Sequence, residues 1–214
     1  MKKNLLTAFL CLNFAACTTL GTSQIAVLDP SSGLLKTNGA LREATVTLTT
    51  NFNHKAYQNL AVIDGPAFTP MNAAALPDNV QQLKELHFFK EVIGPNQLDK
   101  LVADQNLQSE ITQAKTRDGM KKLFQRYGPY MYIHFRCFYR DGAVYQIVAT
   151  NPESWDDMFV SEIVVRSATE YIAASLLTLG SGMTNKNLCT SVDADGRYPL
   201  FNALNRWLGD AASK

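Results

Sequence analysis

Two periods of hydrophobic patterning run through this chain, and the switches between them mark its elements. Ala44–Thr49 alternates apolar residues with threonine at period two, which predicts a half-buried strand. Asn59–Ile63 is instead a continuous apolar run stopped by Asp64-Gly65-Pro66, the pattern of a buried strand followed by a turn. Pro77-Asp78 then opens a predicted helix, with Asp78 as cap, Gln81 three residues on, and Val80, Leu83 and Leu86 along one face opposite Gln82, Lys84 and Glu85. His87–Ile93 reads as a strand ending at Gly94-Pro95. A short helix carries Leu98, Leu101 and Val102. A third helix sets Met120, Leu123, Phe124 and Tyr127 at i, i+3, i+4 and i+7 before Gly128-Pro129.

The strongest local signal is a hairpin. Tyr130–Arg140 and Ala143–Thr150 are β-rich runs joined by Asp141-Gly142. A two-residue loop there pairs Tyr139 with Val144, Cys137 with Gln146, Phe135 with Val148 and Ile133 with Thr150, a largely apolar face expected to be core. The other face then gathers Tyr132, His134, Arg136, Phe138 and Tyr145, an aromatic and basic surface suited to a polar ligand, a peptide strand or a glycan. The competing expectation is that a helix covers this face and Arg136 reaches out past it. Met158–Val165 is expected as a third strand. Ser167 and Glu170 would cap an apolar helix to about Leu179, and a last helix after Pro199 aligns Leu200, Ala203, Leu204, Trp207 and Leu208. The expected fold class is α/β (α+β), a mixed sheet of about five strands around the central antiparallel hairpin, with helices packed on one face.

The amino terminus has a different pattern. Met1-Lys2-Lys3 is basic, Leu5–Leu12 is mostly apolar and too short for a bilayer, and Phe14-Ala15-Ala16 leads into Cys17. This order resembles the signal of bacterial lipoproteins, in which the cysteine becomes the acylated first residue; Phe14 stands where that family usually has Leu. The resemblance implies residues 1–16 as signal peptide, 17–39 as lipidated terminus and Thr/Ser/Gly-rich tether, and 40–214 as one periplasmic domain. It also implies three acyl chains on Cys17, enough for stable anchoring where one chain would be marginal. Thr18, in place of Asp, favours the inner leaflet of the outer membrane. Cys11 leaves with the signal, so Cys137 and Cys189 are left as a candidate disulfide in an oxidising compartment, against the alternative that Cys137 is simply a small buried hydrophobe.

Composition narrows the function classes. About 198 residues follow the signal, 46% of the chain is hydrophobic and 18% charged, so a packed domain is expected. A net charge of +1 argues against a nucleic-acid partner. The chain has no P-loop, G-x-G-x-x-G, H-E-x-x-H, G-x-S-x-G or S-x-x-K motif. His54, His87 and His134 lack metal-ligand spacing, and neither a metal nor another cofactor is expected. Asp193-Ala194-Asp195-Gly196 resembles part of a calcium loop, but its twelfth position is Leu204, which cannot ligate. A thiol nucleophile at Cys137 or Cys189 with His134, and a carboxylate pair among Glu153, Asp156 and Asp157, are the weaker enzymatic readings.

The strand Asn59–Ile63, the helix ending Leu83-Lys84-Glu85-Leu86, and Phe88-Phe89-Lys90-Glu91-Val92 together resemble the TolB amino-terminal domain and CsgG-type periplasmic lipoproteins. Helix 118–127, the hairpin and Asn151-Pro152 continue the likeness over about residues 55–165. It implies an assembly or interaction domain and brings no catalytic residues. The expected function is therefore a non-enzymatic, outer-membrane-anchored component with a protein partner in the envelope. The alternative is a small-ligand or glycan binder using Tyr132, His134 and Arg136, and the third reading is an envelope hydrolase.

Overall fold

The computed structural model describes residues 28–29, 31–32, 34–35, 43–64, 75–140, 142–165 and 194–213. The expected helix at 167–179, the signal and Cys17 lie outside them. The described strands are β1 (Leu28–Asp29), β2 (Leu34–Leu35), β3 (Thr45–Thr49), β4 (Leu60–Ile63), β5 (Glu91–Ile93), β6 (Met131–Tyr139), β7 (Ala143–Thr150) and β8 (Asp157–Val165). The described helices are α1 (His54–Tyr57), α2 (Ala75–Glu85), α3 (Leu98–Asp104), α4 (Arg117–Tyr127) and α5 (Ala194–Ala212). Six strands form one mixed sheet in the order β3-β8-β7-β6-β4-β5, and β1 and β2 make a separate two-stranded ribbon. β4 runs parallel to both β5 and β6, while the β6-β7-β8-β3 half is antiparallel.

The α/β class stands, with six sheet strands instead of five. Helices cover two faces instead of one, and β4 shows why. All four residues of Leu-Ala-Val-Ile are fully buried, and successive side chains of a strand point to opposite faces. Ala61 and Ile63 enter a core with Leu83 of α2, with Leu86 just past its end, and with Leu200, Leu204, Trp207 and Leu208 of α5. Leu60 and Val62 enter a second core with Leu98 and Leu101 of α3 and with Met120, Leu123 and Phe124 of α4. A strand that is apolar on both sides requires cover on both sides.

Helix α4 forms as its spacing predicts, with Met120, Leu123 and Phe124 buried. The Thr116 hydroxyl accepts from the Gly119 N–H at 3.1 Å to cap its start, and Gly128, at φ 111°, ends it by donating to the Phe124 carbonyl. Gly119 is required by contact: a Cβ there would lie 2.0 Å from the Gln113 carbonyl oxygen. Three other boundaries differ from the sequence reading. Helix α2 begins at Ala75, which puts Asp78 inside the first turn and not at the cap, and Gln82 is buried despite its polarity. The strand expected at His87–Ile93 shortens to Glu91–Ile93, because His87 takes a left-handed backbone (φ 54°). Helix α5 starts at Ala194 and contains Pro199, which gives up one intrahelical hydrogen bond; the stripe Leu200, Ala203, Leu204, Trp207 and Leu208 is buried as expected.

Within the stretch read as tether, Leu35 is packed into the core. Asn202 of α5 accepts from its N–H at 2.7 Å and donates to its carbonyl at 2.9 Å, so both backbone groups are satisfied by one buried side chain.

Candidate functional site

The hairpin closes one residue earlier than its Asp-Gly signal suggests. Tyr139 pairs with Ala143, Cys137 with Tyr145, Phe135 with Ile147, Arg136 with Gln146 and Tyr132 with Thr150. Arg140 therefore belongs to the loop, where its N–H donates to the Gly142 carbonyl at 2.9 Å. A one-residue change of register moves a strand's whole side-chain set to the opposite face. Tyr132, His134, Arg136 and Phe138 do share a face, as expected. Tyr145 does not join them: it lies opposite Cys137 and packs against the core containing Phe201 and Leu204.

On the shared face the polar tips are bound to one another. The Arg136 guanidinium donates twice to Asp157, at 2.8 and 2.9 Å. The Thr150 hydroxyl donates to the same carboxylate at 3.1 Å and lies 3.2 Å from His134 Nε2. Tyr132 stacks on the His134 ring with centroids 5.0 Å apart and donates its hydroxyl to Asp64 at 3.1 Å. Beyond them Arg140 donates to Glu162 at 2.7 Å, and Gln146 donates to the second oxygen of Glu162 at 3.0 Å. Burial, helped by the Arg136 charge and opposed by Asp157, pulls His134 down to about 4, so its ring is neutral at ordinary pH. Burial and the neighbouring Asp64 push the Tyr132 hydroxyl well above the ordinary tyrosine value. The Arg136 guanidinium already has a bidentate carboxylate partner.

Trp155 closes one end of this network. It meets Tyr132 edge-on at 5.7 Å, and the Arg117 guanidinium lies 4.6 Å from its ring centroid. Its backbone is left-handed (φ 63°), held by its N–H to the Asn151 carbonyl at 2.7 Å, and its buried indole N–H has no hydrogen-bond partner among the described residues. The carboxylates read as a candidate pair have different surroundings: Asp157 pairs with Arg136 and Thr150, while Glu153 and Asp156 are exposed. Cys137 is disulfide-bonded; Cys189 lies outside the described residues. Among the described residues no group of three or more His, Cys, Asp or Glu could hold a metal ion, and no helix is long and apolar enough to cross a membrane.

The open part of the sheet is elsewhere, at β3. This terminal strand pairs only with β8 among the described strands, and all five of its residues, Thr45-Val46-Thr47-Leu48-Thr49, are exposed. Val46 is 46% and Leu48 37% exposed, among the largest exposures of any bulky apolar side chain described. The alternating pattern identifies the strand, but the half-burial expected of it is not found: period two marks a strand with two unlike faces, and all five residues are exposed. A bulge between Val46 and Leu48 shifts the register against β8.

Comparisons add little to this geometry. No family model and no curated protein matches the chain. Among solved structures, the lipoprotein GNA1162 from Neisseria meningitidis is similar at 11% identity and a TM-score of 0.28, covering 56% of this chain and 95% of that one. A PelC dodecamer from Paraburkholderia phytofirmans is similar at 11% identity and a TM-score of 0.31, covering 74% of this chain and 98% of that one. At TM-scores this low the likeness establishes neither a shared fold nor a shared function.

Proposed function

We propose that this protein is a non-enzymatic, lipid-anchored component of the bacterial outer membrane that binds a protein partner in the periplasm through the β3 edge. The observation that carries this reading is the edge itself. Proteins usually protect a terminal strand with charge, proline, brevity or a covering loop. Thr45–Thr49 has no charged residue and no proline, it exposes valine and leucine, and among the described strands it pairs on one side only, with a bulge interrupting it. An extended segment of a partner can add to such an edge, with backbone hydrogen bonds giving affinity and side-chain contacts giving selectivity. Anchoring rests on the Phe14-Ala15-Ala16-Cys17 signal, and the interaction role agrees with the resemblance to TolB and CsgG-type domains. Pairing of Cys137 with Cys189 belongs to the same proposal, since an envelope protein folds where disulfides persist.

In-cell photocrosslinking tests the reading. A crosslinker at Val46 should yield one discrete adduct with an envelope protein, whereas one at exposed Lys121 on α4 should not. Cys17→Ser should release the protein from the membrane fraction. Diffuse or absent adducts at Val46 would remove the β3 edge as the docking site, and continued membrane pelleting of Cys17→Ser would remove lipid as the sole anchor.

A further inference from the structure

At the end of β3 the chain bends into α1 and meets the last turns of α5, leaving a cleft of about 540 Å³. Its lining joins Thr49, Thr50, Phe52 and His54 from one stretch of sequence with Trp207 and Asp210 from another more than 150 residues away. We propose that this cleft is a binding site for an organic cation with an apolar stem, the chemistry of a lysine side chain or a small alkylamine. This site is independent of the edge-docking reading.

Four features support that assignment. The volume falls within the range of small-ligand sites, about 300–1,000 Å³. The wall is a rigid aromatic stack: Phe52 lies 4.6 Å from Trp207, which packs on Phe159 at 5.0 Å, and Tyr57 braces Phe52 edge-on at 5.7 Å. Trp207 is further fixed by its indole N–H, which donates to the Thr50 carbonyl at 3.4 Å, so its ring is held in place before any ligand arrives. Among the described lining residues Asp210 is the only acidic one, and none is lysine or arginine.

The helix end adds to the negative potential. Asp210 lies in the final turn of α5, where the macrodipole is negative and which contains no basic residue. Ser213 covers two of the terminal carbonyls, donating its N–H to Gly209 at 3.1 Å and its hydroxyl to Asp210 at 2.9 Å. An ammonium group beside the Asp210 carboxylate would gain the ion pair, while an alkyl stem would lie against the Phe52 side of the stack.

The test uses the full mature chain and Nα-acetyl-lysine N-methylamide, with the norleucine derivative, which keeps the alkyl stem and lacks the ammonium group, as the uncharged control. Trp155 and Trp207 are the only tryptophans, so the indole N–H signals of 15N-labelled protein are two, and Trp155→Phe assigns them. The lysine probe should shift the Trp207 signal saturably and leave that of Trp155 in place. The norleucine probe should bind at least about five-fold more weakly, and so should the lysine probe on Asp210→Asn, whose exposed side chain can change without disturbing the core. No shift at Trp207, equal binding of both probes, or unchanged affinity in Asp210→Asn would each overturn the proposal. Because Val46 and Leu48 are not in the lining, a failure here leaves the β3 docking reading standing, and the reverse holds as well.

Discussion

β4 and β3 belong to the same sheet and differ in almost everything else. Leu60-Ala61-Val62-Ile63 has no solvent-exposed side chain, because α2 and α5 close one face and α3 and α4 the other. Thr45-Val46-Thr47-Leu48-Thr49 has no buried residue. The first strand is where apolar burial holds the fold together; the second contributes little burial and exposes its valine and leucine. On the proposed function, stability and recognition are separated along the sheet, with the polar network of β6, β7 and β8 between them.

If that separation holds, substitutions at the two ends must act on different quantities. The largest effect is expected at β4: Leu60→Ala leaves a cavity in the core between Leu98, Leu123 and Phe124 and should cost about 2–5 kcal/mol in chemical denaturation. A loss below 1 kcal/mol would mean that this end of the sheet is not the stabilising one.

The middle of the sheet should report through pH. His134 is held down to about 4 against an ordinary value near 6.5, so between those values the unfolded chain binds a proton that the folded chain refuses. Its contribution is therefore complete above about pH 6.5 and is lost as pH falls toward 4, by up to about 3 kcal/mol. His134→Gln should flatten this part of the stability profile relative to the parent. Parallel profiles would show that the ring is not excluded from protonation in the folded state.

Much of this was legible in the sequence, and the failures share one cause. The α4 stripe, the α5 stripe and the β4 run were readable because each encodes its own burial in local spacing. Even-numbered β6 residues from Tyr132 to Phe138 were correctly placed on one face, because period two is local as well. What spacing does not carry is the relation between segments. One extra loop residue, Arg140, moved Tyr145 across the sheet. Asp64, Thr150 and Asp157 are the partners that occupy the polar tips of the aromatic-basic face, and they come from three separate parts of the chain. The cleft between residues 49–54 and 207–211 has no local signature at all. The double cover was recoverable, since a strand that is apolar on both faces already demanded it.

The most direct test of the central separation is a double substitution at the bare edge, Val46→Lys with Leu48→Lys, with partner co-purification and thermal unfolding measured on the same full-length protein. Both side chains are exposed, and charge on a terminal strand opposes edge pairing without removing core contacts. The account predicts loss of the envelope partner from the purified complex, with stability within about 0.5 kcal/mol of the parent. A partner retained at full stoichiometry, or a loss of stability comparable to that of Leu60→Ala, would contradict it.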